Sequence, residues 1–194
     1  MQYEREVYAR YDKKTIRVYQ AYHEQIAKEA LALQTFGESY NVKRMTWIKP
    51  SFLWMMYRSG WGTKKNQEYI LALDIDKMVF DDFLKQAVLT SPKLEALDGK
   101  QWEKAFSEAV VYCQWDPDRN INGDPIGRAA IQMGLKGEAM QHFLQNGIVK
   151  IEDMTPFVKK WNTQRKAGKL HPKQLPTEQK YTVADSTIRK RLGM

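Results

Sequence analysis

The segment of residues 43–62 constrains this chain more than any other part of its sequence. It holds three of the six Trp and three of the nine Met residues, and it also holds four Lys or Arg. A segment packed in an ordinary core rarely carries cations, because each buried charge needs a partner or a ligand. Either these cations reach solvent past a large aromatic surface, or that surface forms a pocket for a negatively charged ligand.

A pocket of this composition predicts a nucleotide site, because a nucleotide requires a flat apolar slot for its base and fixed cations for its phosphates. The candidate binding residues of the segment are Arg44, Trp47, Lys49, Ser51, Tyr57 and Arg58. The alternative is a core helix. Trp47, Trp54 and Trp61 recur every seven residues, so two of them would share a buried side while the cations stay exposed.

Two further polar residues fall inside apolar strands. The β-branched and aromatic residues of Thr15–Tyr22 predict a strand with Arg17 and Tyr19 on one face, and both are candidate cofactor-binding residues. Arg17 then needs either a salt bridge to a neighbouring acid or an anionic ligand, such as a phosphate. Gln132 lies in the apolar strand predicted at 128–135, where its amide must find backbone partners or a ligand.

The remaining pattern indicates an α+β protein. Further strands are predicted at 69–75 and 109–115, and helices at 23–35, 52–59, 77–88, 99–108, 137–146 and 157–166. Because strands and helices interleave irregularly, we expect one compact domain over residues 1–168 with a mixed or antiparallel sheet. Pro172 and Pro176 interrupt the rest, so residues 169–194 are predicted to form an extended basic arm.

Charge is distributed unevenly along the chain. Residues 156–194 carry ten Lys or Arg and two acids, so they account for the whole formal net charge of +8. A nucleic-acid partner would therefore bind through the basic segment from Lys159 to Arg191. No stretch has the length of about 18 apolar residues that a membrane helix needs, and the cytoplasm is the expected location.

The sequence gives little support for a metal site. The single cysteine, Cys113, and three scattered histidines do not form a metal-binding pattern. Oxygen-bearing side chains recur in residues 116–124, but that loop has Ile121 where a calcium loop requires Gly, and Gly127 where it requires Glu. We therefore expect no metal cofactor.

Several strings of the sequence resemble a known family. Residues 16–22, 44–61, 114–117, 131–135 and 151–153 carry the similarity, and the tryptophan-rich string is the most specific of them. On these residues the chain is identified as a member of domain-of-unknown-function family 4291, from about residue 4 to about residue 177. The family name implies no activity.

A weaker resemblance is to the fold of ADP-ribosyltransferases, which open with a strand bearing Arg or His followed at once by a helix. It implies that Arg17 binds the pyrophosphate or ribose of NAD, that the aromatic segment stacks a base, and that Gln132 occupies the position of the catalytic Glu. The implied function is an NAD-using enzyme that modifies a nucleic acid or a protein. The alternatives are a non-catalytic nucleic-acid-binding module and a structural protein whose tryptophans are core.

Overall fold

The strand predicted at Thr15–Tyr22 forms with the same bounds, at one edge of an antiparallel three-stranded sheet. It belongs to a computed structural model that describes residues 3–91 and 99–194. The strands are β1 (Glu4–Arg5), β2 (Val7–Ala9), β3 (Thr15–Tyr22), β4 (Thr46–Ile48), β5 (Tyr69–Asp76), β6 (Val88–Leu89), β7 (Val111–Arg119), β8 (Pro125–Leu135), β9 (Ile148–Asp153) and β10 (Gln179–Tyr181). The helices are α1 (Glu24–Leu33), α2 (Phe52–Ser59), α3 (Lys77–Gln86), α4 (Gly99–Glu108), α5 (Gly137–His142), α6 (Thr155–Lys166) and α7 (Ser186–Leu192).

These strands form three sheets. In the first sheet β5 lies between β3 and β9, and all three run antiparallel. In the second, β7 lies between β6 and β8, while the far edge of β8 pairs with β1 in parallel and with β4 in antiparallel orientation. The third sheet contains only β2 and β10. Parallel and antiparallel pairs therefore coexist in one mixed sheet, the second.

One backbone contact joins the two larger sheets. The N–H of Tyr19 on β3 donates to the carbonyl of Lys49, directly after β4, at 2.8 Å. The start of α2 is fixed nearby, because the Ser51 hydroxyl accepts a hydrogen bond from the Trp54 N–H at 3.3 Å. The helix ends at Gly60, whose φ of 61° is a left-handed conformation that glycine adopts without strain.

Two apolar clusters lie on opposite faces of the three-stranded sheet. The main core joins this sheet to the five-stranded one through residues such as Val18, Leu73 and Met133. The second cluster lies under α2 and α6 and is built around Tyr19 and Phe52, whose rings meet edge to face. The indoles of Trp54 and Trp61 are buried, whereas Trp47 is half-buried. The tryptophan-rich segment is thus partly core and partly surface.

The structure corrects the expectation of an extended arm over residues 169–194. A short 3₁₀ turn (Pro172–Gln174) leads to β10, which pairs with β2, and α7 then packs on the main core. Apolar side chains explain the difference, because Tyr181, Val183, Ile188 and Leu192 are all buried there. The proline pattern predicts a break in structure, but the prolines mark turns between elements that belong to the domain.

The α+β class and the single compact domain are confirmed. The helix predicted at 99–108 has those bounds in α4, and the predicted helix at 137–146 is divided into α5 and a π-helical turn (Phe143–Gly147). In the part of the chain that the structure describes, no helix is both long and apolar enough to cross a membrane.

Candidate functional site

A cavity of about 480 Å³ lies among β3, β4, α2 and the adjoining loops. We call it the cationic pocket. Its lining residues are Gln20, Ala21, Tyr22, His23, Ile26, Tyr40, Asn41, Arg44, Met45, Thr46, Trp47, Lys49, Met55, Arg58, Asn66 and Gln67. Of the residues predicted from the tryptophan-rich segment, the structure brings Arg44, Trp47, Lys49 and Arg58 together here.

The charge of this pocket is not balanced. Among the described residues that line it there is no Asp or Glu, whereas there are three cations. The side chains of Arg44 and Arg58 are exposed and form no hydrogen bond or ion pair with another described residue. Guanidinium groups that are free and adjacent to a concave surface suit a phosphate or carboxylate ligand.

Lys49 is the third cation, and it is buried, with 7% of its surface exposed. Within the described chain its ammonium has one hydrogen-bond partner, the carbonyl of Trp47, at 3.2 Å. Burial, helped by the positive charge of Arg58 and opposed by the carboxylate of Asp116, lowers the pKa of Lys49 to about 8. An anionic ligand would restore the ordinary basicity of this amine.

Gln20 supplies a buried acceptor that has no partner. Its side-chain nitrogen donates to the Thr46 hydroxyl at 2.7 Å and to the Trp47 carbonyl at 3.3 Å. Because a carbonyl can only accept, this contact fixes which end of the amide faces Trp47. The side-chain oxygen of Gln20 is left without a hydrogen bond among the described residues, although the residue is only 3% exposed. A donor on a ligand would satisfy it.

Arg17 lies elsewhere. It faces Asp74 across the β3–β5 pair and donates to both oxygens of that carboxylate at 2.7 Å, and it also donates to Glu152 at 2.6 Å. The hydrogen bonds that Arg17 donates to Asp74, together with the charges of both acids, outweigh burial and raise the pKa of Arg17. Arg17 lines a second groove of about 790 Å³ together with Arg10, Phe157 and Trp161. Of the two sequence-based alternatives for Arg17, the salt bridge is the one present.

The structure does not bring the other three predicted residues into the cationic pocket. Tyr19 is fully buried in the second apolar cluster, where burial raises the pKa of its phenol. Ser51 caps α2 and donates to the buried Asp118 at 2.9 Å. Tyr57 is 44% exposed and has the guanidinium of Arg119 4.0 Å from its ring centre.

Gln132 lies on β8 and takes part in a side-chain cluster that the sequence did not predict. Its amide nitrogen donates to Asp116 at 2.6 Å, and the amide of Gln114 donates to the other oxygen of that carboxylate at 3.0 Å. β7 and β8 place Gln114 directly opposite Gln132. The signal for this cluster was weak, because each residue alone is an ordinary polar side chain on a half-buried strand.

The basic segment divides into two parts. Lys180 and Arg189 both pair with the buried carboxylate of Glu6, and Arg191 donates to backbone carbonyls at the end of α3. In contrast, five lysines on and after α6 are exposed and form no ion pair with a described residue; they are Lys159, Lys160, Lys166, Lys169 and Lys173. No group of three or more potential metal ligands occurs within residues 3–91 and 99–194.

Residues 6–181 of the chain match the model of one protein family, whose description is Domain of unknown function (DUF4291). A comparison of the chain with curated proteins found no match.

Proposed function

Because the chain belongs to the DUF4291 family, whose description names no activity, we propose its function from the site. The protein binds NAD in the cationic pocket and transfers ADP-ribose to an acceptor. One observation carries this proposal. The four residues that carry two free guanidinium groups, a buried ammonium and a buried unpaired amide oxygen line the same cavity. This set of groups fits pyrophosphate and a hydroxyl or amide donor, all of which NAD contains.

The reaction requires little acid–base chemistry. The bond between the nicotinamide nitrogen and the ribosyl carbon breaks, and its electron pair neutralises the positive nicotinamide ring. A nucleophile on the acceptor forms the new bond to that carbon and releases a proton. Catalysis then depends on holding the dinucleotide and stabilising the developing positive charge. The fold-level resemblance to ADP-ribosyltransferases supports the same reaction class, with a nucleic acid or a protein as acceptor.

The first test is a titration of the protein with NAD, followed through the fluorescence of its tryptophans, since Trp47 lines the cavity. We expect saturable quenching, and an affinity about tenfold weaker in Arg58→Ala. Arg10→Ala is the matched control, because it removes the same charge from the other groove. Absence of saturation at millimolar NAD, or an equal loss in both variants, would overturn the proposal.

A second function, nucleic-acid binding, is favoured by the five exposed lysines on and after α6. Such a surface would hold phosphates, and it would bring a nucleic-acid acceptor to an enzyme of the class proposed above. The charge-reversing variant Lys159→Glu/Lys160→Glu should weaken binding of single-stranded DNA or RNA and lower its salt dependence. Lys180, which is already paired with Glu6, provides the comparison, because Lys180→Glu removes no free cation.

A further inference from the structure

Asp116 is a carboxylate held in place by two neutral amides. Gln132 donates to one of its oxygens at 2.6 Å and Gln114 to the other at 3.0 Å. In the described part of the chain, no Lys or Arg forms an ion pair with Asp116. The two amides therefore fix the orientation of the carboxylate while leaving its negative charge without a cationic partner.

Asp116 is not among the residues that line the cationic pocket, but the strand register places it on the same face of the sheet as two residues that are, Trp47 and Lys49. Trp115 packs against the main core, so Asp116, the next residue on β7, points to the opposite face of the sheet. Trp47 lies on that face as well, because a Cβ built at Gly134 would meet the Trp47 indole at 3.1 Å. Lys49 is two residues beyond Trp47 and so shares the face, and because Ile48 pairs with Met133, the register continues to place Lys49 opposite Gln132, the partner of Asp116.

We propose that Asp116 is the carboxylate that faces the ribosyl carbon of NAD, and that Gln132 and Gln114 are positioning residues for it. This inference rests on the proposed function. The resemblance described above implies a Glu where this chain has Gln132, and such a substitution alone would leave the site without a negative charge. The cluster supplies that charge from the neighbouring strand instead.

The chemistry requires a negative charge at this place. As the bond between the ribosyl carbon and nicotinamide breaks, the departing ring takes the electron pair, and positive charge develops on the ribosyl carbon and its ring oxygen. A fixed carboxylate stabilises that charge without taking a proton. The acceptor then bonds to the ribosyl carbon, and its proton passes to solvent, so the step needs no oxidant or reductant.

The test compares binding of NAD with binding of NADH, which carries the same pyrophosphate but a neutral nicotinamide ring. We expect the wild type to bind NAD about tenfold more tightly than NADH, because the carboxylate attracts the positive ring. Asp116→Asn should bind both about equally. The exchanged variant Asp116→Asn/Gln132→Glu returns one carboxylate to the pair and should recover the preference. Arg58→Ala should weaken both ligands by the same factor, since it acts on the shared phosphates.

An unchanged ratio of the two affinities in Asp116→Asn would overturn the assignment while leaving NAD binding, and with it the proposed function, in place. A wild type that binds neither nucleotide would overturn both. Thermal unfolding of each variant, monitored by circular dichroism, separates a local change of charge from a loss of fold.

Discussion

Arg17 and Asp74 lie directly opposite each other on β3 and β5, and both oxygens of the carboxylate accept hydrogen bonds from the guanidinium at 2.7 Å. Glu152 on β9 accepts a third, so one cation links all three strands of the sheet. Two acids satisfy this arginine inside the protein, and its role in the structure is to hold strands together.

We predict that Arg17→Ala lowers the free energy of unfolding by about 3 kcal/mol, because the variant leaves two acids facing each other without their cation. Urea denaturation measures the loss. Lys28→Ala is the control, since its pair with Glu24 is exposed to solvent and contributes little to stability. A variant of unchanged stability that no longer binds NAD would instead support the sequence-based hypothesis that Arg17 binds the dinucleotide.

Lys49 should make NAD binding sensitive to pH. Its pKa of about 8 means that the amine is protonated in neutral solution and loses its proton as the pH rises through 8. Since a phosphate favours the charged form, affinity should be constant well below pH 8 and fall by up to about tenfold for each unit above it. Dissociation constants measured between pH 6.5 and 9.5 test this. Lys49→Arg keeps its charge over that range, so its affinity should not fall.

Glu178 should make stability depend on pH. Its carboxylate accepts the Phe52 N–H at 2.5 Å, and burial, together with the charge of Asp118, raises its pKa to about 8. Between about pH 4.5 and 8 the folded protein therefore keeps a proton on Glu178 that the unfolded chain has already released. Stability contributed by this group is complete below pH 4.5 and falls across that window by at most about 1.4 kcal/mol per pH unit. Urea denaturation of Glu178→Gln at several pH values should show a smaller decline.

The C-terminal helix should be essential for stability. Leu192 is completely buried, and its carbonyl accepts a hydrogen bond from the Trp115 indole at 2.9 Å. Leu192→Ala should lower the free energy of unfolding by about 2–4 kcal/mol through the cavity that it creates. Lys190→Ala, at an exposed position of the same helix, should change it by less than about 0.5 kcal/mol. Equal stability of the two variants would mean that α7 is not part of the cooperative fold.

Local chemistry made several elements predictable. The β-branched run of Thr15–Tyr22 and the capping residues Ser51 and Gly60 determine β3 and α2 through contacts within a few residues. The three cations that line the pocket were predictable for a similar reason, since they share one short segment with Trp47. Their unusual mixture with aromatic residues was visible without any knowledge of the fold.

Features that depend on distant pairing were not predictable. Gln20 lies on the face of β3 opposite Arg17 and Tyr19, and its unpaired oxygen follows from contacts with Thr46 and Trp47, which are distant in sequence. The sequence predicts a loop over residues 116–124, but β7 extends through Asp116 and pairs with β8. A single sequence does not contain the register that brings such residues together.

The pairing of β2 with β10 has a consequence for how the protein is made. Val7 and Ala9 find their strand partners at Tyr181 and Gln179, and α7 packs on the same core. Synthesis must therefore extend past Tyr181 before β2 can pair. Until then the edge of β2 is open to pairing with another extended segment.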